Sequence, residues 1–214
     1  MKKIDTILQD VDGLLANFHE SAIRAHLHKG PLKLSHGTYR DPNDSFLIAS
    51  NQYWPRGKSL MKYLGITNLD DFWQPIDRDP LFWRGISPYP WYKQLTDKLQ
   101  NYCHTLMLCT SPSNHHHSWG GKALWLKLHN LDHLPCIMMN GASNGTSSGT
   151  PIGKWMLAAP GRLLIDDFEK QTDPFINAGG QAILFPQPWN RAHQFCNDPV
   201  NYTISQLERI CEES

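Results

Sequence analysis

The sequence has no excess of either charge: Lys and Arg total 20, and so do Asp and Glu, in 214 residues. A balanced chain lacks the electrostatic footprint of a protein that coats long nucleic acid or lies on an anionic membrane, so any basic group that matters must act locally. No apolar run is long enough to span a bilayer. The N-terminus enters a strand-like stretch almost at once, so no secretory signal is expected. None of the five cysteines (103, 109, 136, 196 and 211) forms a C-x-x-C pair, and Cys109 and Cys136 sit in apolar runs. Reduced, buried thiols in a cytoplasmic protein are the expectation. Without secretion the sequon at Asn144 carries no meaning. The run His115-His116-His117 has no Cys or carboxylate at ligand spacing, and reads as solvated loop before metal tract. No internal repeat is evident.

What is present begins at the N-terminus. Residues 4–8 are apolar and β-branched and end in the polar cluster Asp10-Val11-Asp12-Gly13. That is the look of a buried strand delivering side chains to a sheet end. On extended backbone Asp10 and Asp12 share a face, and two like charges so close call for a counter-charge. A hard divalent cation such as Mg²⁺ suits such oxygen donors. The alternative for this tetrad alone is a surface turn, since Asp-Gly is common in turns.

Further along, residues 20–29 have helical spacing, 31–58 read as irregular loop, 58–64 and 69–73 as short helical segments, and 79–90 as an aromatic, proline-rich stretch. From residue 92 the rhythm is regular. A helix over 92–102 precedes a strand over 105–109 closed by Thr110-Ser111-Pro112. A helix over 121–129 and a strand over 136–139 follow. The Gly/Ser/Thr-rich segment 140–153 must be loop, and a strand over 163–165 ends in Asp166-Asp167. A short helix or turn over 168–178, a strand over 181–185 and a helix over 203–211 complete the chain. Strands alternating with helices predict an α/β fold, a doubly wound parallel sheet with helices on both faces. In such sheets the site lies at the carboxyl ends of the strands. Three strand ends carry reactive groups: Asp10 and Asp12, Thr110 and Ser111, Asp166 and Asp167. Lys122 and Lys154 lie on neighbouring segments.

Carboxylates with a divalent cation and a lysine suit phosphoryl transfer. Asp10 would be the nucleophile and Asp12 the acid and then the base. Thr110 would hold a phosphoryl oxygen, with Ser111 beside it, and Asp166 and Asp167 would hold the metal.

The order D-x-D, Ser/Thr, Lys, acidic pair resembles the haloacid dehalogenase-like phosphatases. Within them it is most similar to the 5′(3′)-deoxyribonucleotidases, through residues 10–18 (D-x-D-G-x-x-A-x-F), Thr110-Ser111-Pro112, Lys122 with Trp125, and Leu163-Leu164-Ile165-Asp166-Asp167. The phrase from Phe82 to Pro90 looks like their cap phrase, although Trp91-Tyr92 stands where that family has Gly. Segments 140–153 and 155–161 look longer than usual.

The resemblance implies a core of residues 1–16 and 88–214 and a small, mainly helical cap of residues 17–87 inserted after the first strand. It implies Mg²⁺ on Asp10, on the backbone carbonyl of Asp12 and on Asp166 or Asp167, with the lean toward Asp167. It implies phosphate contacts from Lys122 and Lys154, and a base gripped by the aromatics Phe18, Phe82 and Trp83. Trp125, at helical spacing, reads as core. The expected activity is hydrolysis of (deoxy)nucleoside monophosphates through an aspartyl-phosphate, with a homodimer admitted but not required. A phosphatase of another small ester and a non-turnover phosphoacceptor are the alternatives. Receiver-type phosphoacceptors carry their acidic pair first and the phosphorylated Asp later, the reverse of the order here.

Overall fold

The computed structural model describes residues 4–27, 32–33, 39–40, 60–113, 115–139 and 153–213. Most of the segments read as loop at 31–58 and 140–153, and the sequon at Asn144, lie outside the described residues.

The centre of the fold is β1 (Ile4–Gln9). It pairs in parallel with β4 (Cys103–Thr110) on one side, Ile4 opposite Cys103, and with β6 (Arg162–Asp166) on the other, Gln9 opposite Ile165. β5 (Cys136–Met138) extends the sheet beyond β4, and β7 (Gln181–Leu184) extends it beyond β6. The order β5-β4-β1-β6-β7 is parallel throughout. A middle strand covered on both faces needs apolar side chains on both, so β1 reads as an apolar run and not as an alternation. Ile7 points to the larger core cluster, with Leu108 and Ile165, while Leu8 points to a smaller one, with Cys109 and Leu164.

Helices cover both faces. Leu95 and Leu99 of α4 (Tyr92–Gln100), Trp125 of α5 (His116–Leu128) and Leu207 of α7 (Pro199–Glu213) join the larger cluster. Phe175 of α6 (Glu169–Asn177) closes the smaller one. This is the doubly wound α/β sheet that the strand and helix rhythm predicts. Helix α5 starts five residues earlier than its apolar spacing suggests. His115 caps it by accepting from the His117 N–H, and Gly121 survives inside it because a Cβ there would run into Trp83. Helix α7 starts at Pro199, a first-turn position where the missing N–H costs nothing.

Between β1 and α4 the chain makes α1 (Phe18–Leu27), a two-stranded antiparallel pair β2 (Leu32–Lys33) and β3 (Tyr39–Arg40), α2 (Leu60–Leu64), α3 (Leu69–Asp77) and a 3₁₀ turn, Trp83–Gly85. The outgoing and returning chains run side by side: Asn17 N donates to Ser87 O at 2.9 Å and Tyr89 N to Leu15 O at 2.8 Å. Among the described residues no helix is long and apolar enough to cross a membrane.

Candidate active site

The chain steps from β1 to β4 and β5 on one side, then crosses back to β6 and β7 on the other. The crevice where the order reverses opens at the carboxyl end of β1. Asp10, the next residue, continues the pairing, its N–H donating to Ile165 O at 3.0 Å. Its carboxylate therefore lies between the ends of β4 and β6. Gly13 then turns back with φ of 80°, and a Cβ there would overlap the Asp167 carboxylate. Both the left-handed backbone and the missing side chain are required at this position.

Asp10 Oδ1 accepts from Val11 N at 2.7 Å and from the Lys154 ammonium at 2.8 Å. Asp10 Oδ2 takes no hydrogen bond from any described residue, and Asp10 lines a cavity of about 970 Å³. Lys154 opens a 3₁₀ turn, Lys154–Leu157, and is 1% exposed. Its Nζ also reaches Asp166 Oδ2 at 2.5 Å, while Asp166 Oδ1 accepts from Phe168 N at 2.9 Å. Both Asp166 oxygens are thus engaged within the protein. Asp167 differs: Oδ2 accepts from Trp189 Nε1 at 2.7 Å, and Oδ1 takes no hydrogen bond from any described residue. On the β4 side Lys122 Nζ pairs with Asp12 Oδ2 and lies 3.1 Å from Thr110 Oγ1. The Trp83 ring lies 4.9 Å from the same ammonium.

The electrostatics are crowded. Asp10, Asp166 and Asp167 offer carboxylate oxygens within 4.8 Å of one another, all buried. Burial pushes the Asp10 carboxyl up to about 7 although Lys154 pulls the other way. Burial, with Asp166 and Asp10 beside it, holds the Asp167 carboxyl well above the ordinary carboxylate range. Burial also works against the Lys154 charge, but Asp10 and Asp166 outweigh it and keep the ammonium protonated far beyond neutral pH. One ammonium among three carboxylates leaves negative charge to be neutralised. The unengaged oxygens of Asp10 and Asp167 are hard donors, so the residues present fit a hard divalent cation.

The sequence-expected residues divide by position. Asp10, Asp12, Ser111, Lys154, Asp166 and Asp167 line the cavity, and Thr110 and Lys122 lie buried beside it. Phe18 and Trp83 also line the cavity, whereas Phe82 stands edge-on to both rings and outside the lining. Phe18 and Trp83 are stacked on one another, centroids 5.5 Å apart and planes at 17°. A base between two rings needs about 7 Å between their planes, two van der Waals layers, so no base-wide gap stands between this pair. Trp125 is core, its Nε1 donating to Ile86 O at 2.7 Å.

Several site residues escape the sequence reading, His19 of α1 among them. Trp73 of α3 lines the aromatic wall. After β7, Gln187 donates to the Gly13 carbonyl, Trp189 to the Asp167 carboxylate, and Asn190 to Asp167 O at 2.8 Å. That Gln187-Pro188-Trp189-Asn190 follows a strand's carboxyl end is the one local signal the stretch gives.

No family profile and no curated protein matches the sequence. Solved structures do match the fold. A haloacid dehalogenase-like family hydrolase from Xanthomonas campestris aligns over 100% of both chains with a TM-score of 0.54 at 11% identity. A haloacid dehalogenase-like hydrolase from Bacteroides fragilis aligns over 84% of this chain and 86% of its own, with a TM-score of 0.51 at 17% identity.

The fold is haloacid dehalogenase-like.

At such identities the likeness concerns architecture, and chemistry has to be read from the side chains. In this haloacid dehalogenase-like fold the charged floor comes from the sheet, through Asp10, Lys154 and the Asp166-Asp167 pair. The aromatic wall comes from the segment between β1 and α4, through Phe18, Trp73 and Trp83.

Proposed function

We propose that the protein is a Mg²⁺-dependent phosphatase that hydrolyses (deoxy)nucleoside monophosphates. The observation that carries this reading is the Asp10 carboxylate: one oxygen fixed by Lys154 and the Val11 N–H, the other unengaged at the floor of an aromatic-walled cavity. A nucleophile so held has one productive orientation. The Asp10 carboxylate attacks phosphorus, and the nucleoside oxygen leaves with a proton from Asp12. Asp12 then takes a proton from water, which attacks the aspartyl-phosphate, releasing phosphate and restoring Asp10. Lys122, between Asp12 and Thr110, and Ser111 supply positive charge and a hydroxyl to the phosphoryl oxygens. Asp10, Asp167 and the Asp12 backbone carbonyl would hold Mg²⁺, which supplies neutralisation of phosphate charge. Asp166, with both oxygens engaged, holds Lys154 in place.

The leaving group calls for aromatic contact. Phe18, Trp73 and Trp83 present ring surface to a cavity large enough for a nucleotide, and every base has a π-face to stack. The segment 17–87, entering and leaving through the Asn17–Ser87 pairing, would then be the substrate-reading cap. Phosphate release from a panel of 5′- and 3′-monophosphates, sugar phosphates and p-nitrophenyl phosphate, with Mg²⁺ and with EDTA, tests this. Mg²⁺-dependent release favouring nucleotides is expected. Release from sugar phosphates with none from nucleotides would overturn the substrate assignment, and undiminished release in EDTA would overturn the metal.

A further inference from the structure

In the sequence His115-His116-His117 has no ligand partner at close spacing, but the fold brings the rings together and sets Asp77 beside them. The three rings, at the start of α5, converge: centroids of neighbours lie 4.4 and 4.1 Å apart, and those of His115 and His117 lie 4.7 Å apart. One ring nitrogen from each lies within 4.8 Å of the others. Asp77, the last residue of α3, faces the same rings from the inserted segment. Its carboxylate accepts from Ser113 Oγ at 3.4 Å, and its backbone carbonyl lies 3.1 Å from His117 Nδ1.

We propose that His115, His116, His117 and Asp77 form a second cation site, for a borderline first-row ion of the Zn²⁺ class, which ties α3 to α5. Three imidazoles are a zinc donor set that leaves a fourth position open, and imidazole nitrogen selects such ions over Mg²⁺. The all-carboxylate group at Asp10 has the opposite preference, so the two sites are chemically distinct. A carbonyl against His117 Nδ1 favours the proton there and leaves the Nε2 lone pair to a metal, the usual outer contact of a ligating histidine. His115 Nδ1, which accepts from the His117 N–H at 3.4 Å, gives up only a long contact if its tautomer changes. The Asp77 carboxyl is raised by burial, against which His115 acts most strongly among the three rings.

The site lies across α3 and α5, so an ion bound there favours the arrangement in which the two elements are in contact. The inference does not depend on the phosphatase reading. Its test is titration of the full chain, kept in saturating Mg²⁺, with Co²⁺ and with Zn²⁺. Visible absorption of tetrahedral Co²⁺ reports geometry, calorimetry reports Zn²⁺ affinity, and hydrogen exchange reports protection of α3 and α5. One ion per chain is expected. His115→Gln/His117→Gln should weaken Zn²⁺ at least about tenfold and abolish the Co²⁺ spectrum. Asp77→Asn should weaken both, and Asp10→Asn should leave both unchanged. Circular dichroism checks that each variant is folded. Binding that survives the double histidine change, or that disappears with Asp10→Asn, overturns the proposal, as does the absence of any Co²⁺ absorption in the wild type.

Discussion

At the scale of single residues, the site separates groups that react from groups that hold. In the proposed reaction Asp10 attacks phosphorus and Asp12 serves the leaving group, so Asp10→Asn should reduce phosphate release to background. Asp12→Asn should cost roughly 10²- to 10⁴-fold in kcat, the usual weight of a positioned acid–base group, both measured by phosphate release at saturating substrate. These residues were legible in the sequence because a short polar cluster ended an apolar run. Trp189 and Asn190 were not, because nothing in Gln-Pro-Trp-Asn announces that its side chains turn back 22 and 23 residues to Asp167.

His19 is another such case. Its ring stacks on Trp189, centroids 3.6 Å apart, and burial pushes it from 6.5 down to about 3, although part of the residue stays accessible at the cavity. The unfolded chain therefore takes up a proton below pH 6.5 that the folded chain refuses until about pH 3. Stability present above pH 6.5 should be lost as pH falls through that interval. Urea midpoints from pH 7 to 4.5 should decline less steeply in His19→Gln than in the wild type.

At the scale of elements, the seam between α5 and the Trp83–Gly85 turn joins the aromatic wall to the sheet. Gly121 is in contact with Trp83 there, and a methyl group would overlap the Trp83 side chain. Gly121→Ala raises helix propensity but overpacks the seam. We expect a net loss of about 1–3 kcal/mol, read by thermal unfolding, and a rise in KM for nucleotides larger than the fall in kcat. Element types were legible wherever apolar spacing was strong, as in β1, α4 and α7. Boundaries were misread where a cap or a partner strand decides them. β4 begins at Cys103 and not at residue 105 because Ile4 pairs with Cys103. Helix α3 runs on to Asp77 through Pro75, past the end suggested by its short apolar pattern. That extension puts Asp77 against the histidines, a contact between positions 36 to 40 apart that no local spacing encodes.

At the scale of the molecule, the carboxylate group is a debt carried by the fold as a whole. Three buried acids against one buried ammonium oppose folding, a cost that the proposed Mg²⁺ would offset. In EDTA at pH 8, Asp10→Asn should be more stable than the wild type by on the order of 1 kcal/mol. Mg²⁺ should close or reverse that gap, as followed by urea unfolding with and without the ion. The position of β1 has a consequence of another kind. It leaves the ribosome before the other strands of its sheet, and its two neighbours begin only at residues 103 and 162. Until β4 emerges the nascent chain must carry an apolar strand with both edges bare, and one edge stays bare until β6 emerges. Such a chain invites wrong pairings and chaperone capture until its second half emerges. Truncations anywhere before β6 should therefore accumulate as aggregates and not as smaller folded proteins.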